Sequence, residues 1–467
     1  MTDRGIKKEN RYYDELTGLS NMAGFFYHAD GWIQSSLRQG LQPIFICFDL
    51  NGLKDYNRRY GFEEGTVLLQ EFAQILSRHF GEIQSARFGA DKFFAYTEES
   101  EYGPVLDQIF QETSALNNGR TLPVRAGVYR TYHSGVQVHI ACDYADMACH
   151  RVPRNLGSHY AVFDEKMVVE SQRRGYILSN IDRALECGHI KVYYQPIVRT
   201  LNKKVCCMEA LTRWEDPKYG FLSPAEFVPM LEEAGLTWKL DKYMIEKIAE
   251  DMRASLDRGI TLIPVSVNFS RTDFLYGDPH GILEKTVEKY RLQRRYFRVE
   301  ITETTVMDNP ERIREQIREF HNSGYMVLMD DFGSGYSSLN TLKNFEFDEI
   351  KIDMGFMRDF DERSRCIIQS IVPMAKDLGV HTLCEGVETE EQLHFLEQIG
   401  CEYIQGYYYG RPEPAEQLKN SLKARGIQSE TREEDEFYER AGLVNVISDQ
   451  PIALYLYDPE QQFHLIL

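Results

Sequence analysis

Met329-Asp330-Asp331-Phe332-Gly333-Ser334-Gly335-Tyr336-Ser337-Ser338-Leu339 carries two adjacent acids between an apolar run and a glycine-rich turn. The run Met326-Val327-Leu328-Met329 reads as a buried strand leading into it. Gly333 and Gly335, then the Ser337-Ser338 pair, mark a tight turn and a helix start. Side chains alternate along a strand, so neighbouring aspartates inside one would face opposite ways. At the strand's last residue the chain bends, and both can aim at one ligand. Two carboxylates that close repel each other unless a cation lies between them.

Outward from this stretch, short apolar strands alternate with helical stretches from 177 to 425, the span of one β/α barrel. Candidate strands are Val192–Gln195, Val205–Leu211, Ile263–Asn268, Phe297–Glu303, Met326–Asp331, Glu349–Asp353, His381–Glu385 and Tyr403–Gln405. Ser223-Pro224-Ala225-Glu226 and Thr389-Glu390-Glu391-Gln392 read as capping boxes that start helices. Polar residues recur at the strand ends: Glu209 (within its strand), Asn268, Glu300, Asp330, Asp331, Lys351, Asp353, Glu385 and Gln405. In a barrel the C-terminal strand ends open on one face, where distant positions converge. One such acid is ordinarily a cap or an ion-pair partner. Acids at five strands together would be driven to protonate without cations. The candidate ligands are oxygen donors without histidine or cysteine, which points to Mg²⁺ or Mn²⁺. Two such ions can activate a water and clamp both oxygens of an in-line phosphoryl displacement.

Glu209-Ala210-Leu211 with Arg213-Trp214, Gln195-Pro196-Ile197, Val267-Asn268-Phe269-Ser270, Glu300-Ile301-Thr302-Glu303, Asp330-Asp331-Phe332-Gly333, Lys351-Ile352-Asp353, Glu385-Gly386-Val387-Glu388 and Gln405-Gly406-Tyr407 follow in order. The segment thereby closely resembles the EAL family, phosphodiesterases that linearise cyclic di-GMP. The resemblance implies that Glu209, Asn268, Glu300 and Asp330 hold one metal, with Asp330 bridging to a second beside Asp331. Glu385 would be the general base or hold the attacking water. Lys351 and Gln405 would orient water and phosphate, and Glu303 would brace the loop after Asp331. Gln195, Arg213 and Asp353 would bind substrate, Arg213 through a phosphate. Departures from the family pattern, Ser334, Cys384 and Met354-Gly355, remove no ligand.

The first segment, 1–165, alternates differently. Ile44-Phe45-Ile46-Cys47-Phe48-Asp49 is a strand ending in an acid, and Arg87 to Tyr96 a hairpin turning through Gly89-Ala90-Asp91-Lys92. The pattern predicts an α+β sandwich with an antiparallel sheet, and the motifs that follow resemble a family whose fold is nucleotidyl-cyclase-like, that is, ferredoxin-like. Asp14-Glu15-Leu16-Thr17-Gly18-Leu19, Asp49-Leu50-Asn51-Gly52-Leu53-Lys54-Asp55-Tyr56-Asn57 and Gly89-Ala90-Asp91-Lys92-Phe93 resemble the GGDEF family, the diguanylate cyclases. The departures bear on activity. Lys92 stands where the family has a catalytic acid, and a lysine takes no proton from a 3′-hydroxyl at neutral pH unless its pKa is strongly lowered. Ala90 replaces the second signature glycine, Thr66 an acid that contacts guanine, and Phe80 and Ile83 the product-inhibition motif. Asp49, Lys54, Asn57 and Asp91 remain, so the unit is expected to be either a GTP-binding regulator without turnover or an inert scaffold.

The whole chain thus reads as an α/β protein: the degenerate cyclase-like segment 1–165, a helical joint 166–176, a TIM-like (β/α)8 barrel 177–425, and a charged linker 426–467. That linker ends in apolar strands resembling the start of a PAS-like domain, or a hairpin docking on the barrel or a partner. A net charge of -19 argues against a nucleic-acid polymer or an anionic membrane as partner. Nine cysteines without a CxxC pair, a polar N-terminus and no apolar run of spanning length predict a reduced, cytoplasmic protein. The expected function is metal-dependent hydrolysis of cyclic di-GMP to linear pGpG by a homodimer paired through its barrels. The alternative is a cyclic di-GMP receptor that binds with little cleavage.

Overall fold

The computed structural model describes residues 10–98, 102–131, 136–153, 157–333, 338–442, 455–456 and 464–465. Two compact units divide the chain, Met1–Tyr176 and Ile177–Leu467. The helix Lys166–Glu186 contains the division point. Among the described residues no helix is long and apolar enough to cross a membrane.

In the first unit the strands run across one sheet in the order Ser20–Asn21, Ser85–Arg87, Lys92–Thr97, Ile44–Leu50, Val124–Arg130, His159–Val162. The central Ile44–Leu50 lies antiparallel to both neighbours and is buried along its whole length. Both faces are covered, which accounts for an apolar run without alternation. Ile44, Ile46 and Phe48 pack with Phe72 and Leu76 of helix Phe62–Phe80. Phe45 and Cys47 pack with Phe25 of helix Met22–Arg38 and Ala145 of helix Val138–His150.

The second unit is a closed eight-stranded barrel. Its strands are β1 (Ile190–Arg199), β2 (Val205–Asp216), β3 (Val265–Phe269), β4 (Phe297–Thr302), β5 (Met326–Phe332), β6 (Glu349–Ile352), β7 (His381–Cys384) and β8 (Tyr403–Gln405). Neighbours from β2 through β8 pair in parallel. β1 runs antiparallel to both β2 and β8, so the barrel departs from an all-parallel (β/α)8 arrangement at this strand. The reason is connection length: residues 200–204 allow a hairpin but are too short for a crossover helix. Helices pack outside, with apolar residues at helical spacing facing the strands, as Ile245, Ile248 and Met252 of helix Thr237–Asp257 do. The box at Thr389 forms with both of its bonds, whereas Ser223 caps its helix without a side-chain bond. Below the strands' N-terminal ends, Arg199 pairs with Glu430 at 2.6 Å and lies 5.0 Å from the ring centre of Tyr438, on the helix Arg432–Gly442. Of the predicted C-terminal strands, only the antiparallel pair Tyr455–Leu456 and His464–Leu465 falls within the described residues.

Candidate active site

Lys351 is the centre of the barrel's polar layer. It is 1% exposed, and its Nζ lies 2.8 Å from Glu385 Oε1, 2.9 Å from Asp330 Oδ1, 3.0 Å from Glu300 Oε2 and 3.5 Å from Glu209 Oε2. These acids come from β2, β4, β5 and the end of β7, so four separate chain segments meet at one ammonium. Asn268 Nδ2 donates to Glu209 Oε1 at 3.2 Å, and Gln405 Nε2 donates to Glu209 Oε2 at 2.7 Å. Gln405 also donates to Gln195 Oε1 at 3.1 Å, and Gln195 stands directly opposite Glu209 in the β1–β2 ladder.

The two adjacent acids reach the same site by a device that differs from the expected turn. β5 continues through Phe332, and its register with β6 shifts between Met329 and Phe332. Asp331 takes a left-handed backbone, φ 56°. This bulge breaks the alternation that would have sent the two side chains to opposite faces. The left-handed conformation costs about 1–2 kcal/mol for a residue with a Cβ, least for Asp and Asn. Carboxylate oxygens of Asp330, Asp331 and Glu385 lie within 4.8 Å of one another.

The electrostatics favour a cation here. Burial, with the Asp330 charge beside it, pushes Asp331 up to about 6. Burial also pushes Glu385 up to about 8, with Lys351 opposing and Asp330 reinforcing the shift. Glu300 is raised well above the carboxylate range, chiefly by burial. Burial works against the Lys351 ammonium, yet Asp330, Glu209, Glu300 and Glu385 carry its pKa well above the ordinary value. Glu300 Oε1 is buried without a hydrogen-bond partner. An all-oxygen set with an unsatisfied buried carboxylate oxygen fits a hard divalent cation.

The remaining predicted residues stand apart from this cluster. Asp353 Oδ1 accepts the Gly355 N–H at 2.8 Å and adds to the upward push on Asp331. Arg213 donates to its neighbour Thr212 O at 2.7 Å and lies 5.6 Å from the Tyr193 ring centre. Glu303 is buried at the first position of helix Glu303–Asp308, and residues 334–337 of the loop it was expected to brace lie outside the described residues. Sequence reasoning missed Arg298 and Glu349, which pair at 3.3 Å in the barrel interior. The signal was present: charged residues two positions from Glu300 and Lys351 in otherwise apolar strands.

In the first unit, Asp49 lies opposite Lys92 on one neighbouring strand and Arg125 on the other. Arg125 is buried and ion-paired with Asp49. Lys92 Nζ donates to Asp146 Oδ2 at 2.7 Å. Although burial opposes it, hydrogen bonds from His150 and Lys92 hold Asp146 down at about 2. Lys54 is exposed, Asn57 Oδ1 is buried without a partner, and Asp91 sits in the hairpin turn with its backbone oxygen accepting from Leu50 N–H at 3.2 Å. The motif strand therefore carries an internal charge balance, built by Arg125 and Asp146, which sequence spacing did not reveal.

Comparison with known proteins agrees with both halves. The EAL domain model matches residues 178–412, and the model for the diguanylate cyclase, GGDEF domain matches residues 11–156. The bifunctional diguanylate cyclase/cyclic di-GMP phosphodiesterase MucR of Pseudomonas aeruginosa is 29% identical over 420 residues, covering 88% of this chain and 61% of that protein. The cyclic di-GMP phosphodiesterase PdeR of Escherichia coli is 28% identical over 417 residues, covering 86% of this chain and 62% of that protein. The chain thus spans about three fifths of the length of these two relatives. A solved structure of the PaMucR phosphodiesterase in complex with c-di-GMP is 33% identical, with a TM-score of 0.50 over 52% of this chain and 99% of that one. With its barrel matched throughout and a GGDEF domain ahead of it, the chain belongs to the EAL domain family in its tandem GGDEF–EAL form.

Proposed function

We propose that the barrel hydrolyses cyclic di-GMP to linear pGpG with Mg²⁺ or Mn²⁺, and that the first unit makes no cyclic di-GMP. The observation that carries this reading is the buried Lys351 held within 2.8–3.5 Å of four carboxylates from four chain segments. Glu209, Asn268, Glu300 and Asp330 would hold one ion, and Asp330 with Asp331 a second. Bound there, the ions would supply an activated water and neutralise charge at the phosphate. Glu385 would take the proton of the attacking water at Oε1, the oxygen that Lys351 Nζ approaches to 2.8 Å. A water oxygen–phosphorus bond forms, the bond from phosphorus to one 3′-oxygen breaks, and that oxygen leaves with a proton. Gln405, which also bonds Gln195, donates to Glu209 and would steady it, while Gln195, Arg213 and Asp353 would bind substrate, Arg213 through a phosphate.

An assay for pGpG tests this. Wild type with Mg²⁺ or Mn²⁺ is expected to give linear product, and K351A and E385Q to lose on the order of 10²-fold in kcat or more. No linear product with nucleotide binding intact would leave the receptor reading in its place. For the first unit, absence of cyclic product from GTP is expected, supported by Lys92 in place of the acid and by the Asp49–Arg125 pair. A change in cyclic di-GMP turnover on adding GTP would mark it as a GTP-responsive regulator; no change would mark it as a scaffold.

A further inference from the structure

Two ion pairs are stacked inside the barrel. Arg298 and Glu300 stand two apart on β4, and Glu349 and Lys351 two apart on β6, so each pair of neighbours shares the inward face. The upper pair is Lys351–Glu300 at 3.0 Å, and the lower pair is Arg298–Glu349 at 3.3 Å with exposures of 3% and 0%. Upward along β4 the charges run positive then negative, and along β6 negative then positive. Below them, Arg298 lies 5.7 Å from the ring centre of Tyr403, which Arg199 approaches to 5.0 Å.

We infer that Arg298 and Glu349 are positioning residues for Lys351, an inference that rests on the hydrolase reading of the upper cluster. Glu349 is a buried carboxylate two residues below Lys351 on the same face. Left bare, it would draw the ammonium down and away from Glu385 and Asp330, because an unpaired ion in the interior is strongly unfavourable. Arg298 occupies Glu349, so the acids above are what remains for Lys351 to hold. The alternating signs therefore set the height of the ammonium in the barrel, and with it the level at which the four carboxylates converge.

The test is a mutant cycle in the full chain: R298M, E349Q and R298M/E349Q. Two readouts are taken, cyclic di-GMP turnover with Mn²⁺, and Mn²⁺ binding without substrate by electron paramagnetic resonance. R298M is expected to lower kcat on the order of tenfold or more with KM changed less than about twofold, the pattern of a displaced catalytic group. It should also bind Mn²⁺ several-fold more tightly, because an ammonium drawn downward no longer competes for the upper acids. Removing Glu349 as well leaves no bare charge, so the double variant should return both readouts to within about threefold of wild type. A double variant as impaired as R298M at an unchanged melting temperature overturns the inference, as does an R298M with both readouts unaltered. Should R298M not fold, the double variant alone decides: turnover near wild type supports the inference and a tenfold loss overturns it. A wild-type chain that cleaves nothing would sink the hydrolase reading, and the inference would then stand or fall on the Mn²⁺ affinities.

Discussion

Asp49 and Lys92, two residues of the first unit's motifs, are each held in an ion pair, Asp49 with Arg125 and Lys92 with Asp146. Asp49 is nearly buried and its charge is met by Arg125, so the pair is part of the sheet's interior. R125A should strip that partner and destabilise the first unit by about 3 kcal/mol, whereas the double replacement D49N/R125M should cost markedly less, read by urea unfolding. K92E restores the family's acid but sets it against Asp146, so it is expected to yield no cyclic product from GTP and a lower melting temperature. At this scale the sequence was legible where a residue's role follows from its type. Acids at parallel strand ends converge by topology, and Lys351, Glu300 and Glu385 could be named that way. Arg125 and Asp146 could not, because their meaning lies in a partner on a different strand or helix; Arg298 and Glu349 stood out as charges in apolar strands, but their pairing with each other did not.

Elements were legible in kind but not in direction. Apolar runs bounded by turn residues located the strands, yet periodicity is the same whichever way a strand runs, so the reversal of β1 left its mark only in the short connection 200–204. The bulge at Asp331 left none, since aspartate tolerates left-handed backbone without the glycine that would have announced it. Joints between elements carry their own test. Glu284 of helix Pro279–Tyr290 accepts from Arg294 Nη2 at 2.7 Å, before β4, and from the Tyr325 hydroxyl at 2.6 Å, before β5. The Arg294 hydrogen bonds, against burial, hold Glu284 down at about 2. A carboxyl depressed on folding stabilises above its unfolded pKa and loses that contribution as pH falls through the folded one. Wild type should therefore lose about 1 kcal/mol more than E284Q between pH 5 and pH 2, a figure discounted because Arg294 is 45% exposed. Thermal melts of the two proteins across that range would show it.

For the whole molecule, a cluster of acids with one ammonium predicts a protein stabilised by its ligand. Saturating Mn²⁺ at about a hundred times its Kd should add about 2.7 kcal/mol to the barrel's stability, and D330N should abolish most of that gain. We also propose that the protein pairs through its barrels, for which light scattering should return about twice the chain mass of 54.4 kDa. The reversed β1 has one more effect. An all-parallel barrel receives its chain at the floor, opposite the chemistry. Here Ile190 pairs with Trp214 near the far end of β2, and Ile177, Ile181 and Ala184 of the incoming helix pack with Trp214 and Phe227. The polypeptide thus enters the barrel beside the opening where the carboxylates gather around Lys351, and not at its foundations.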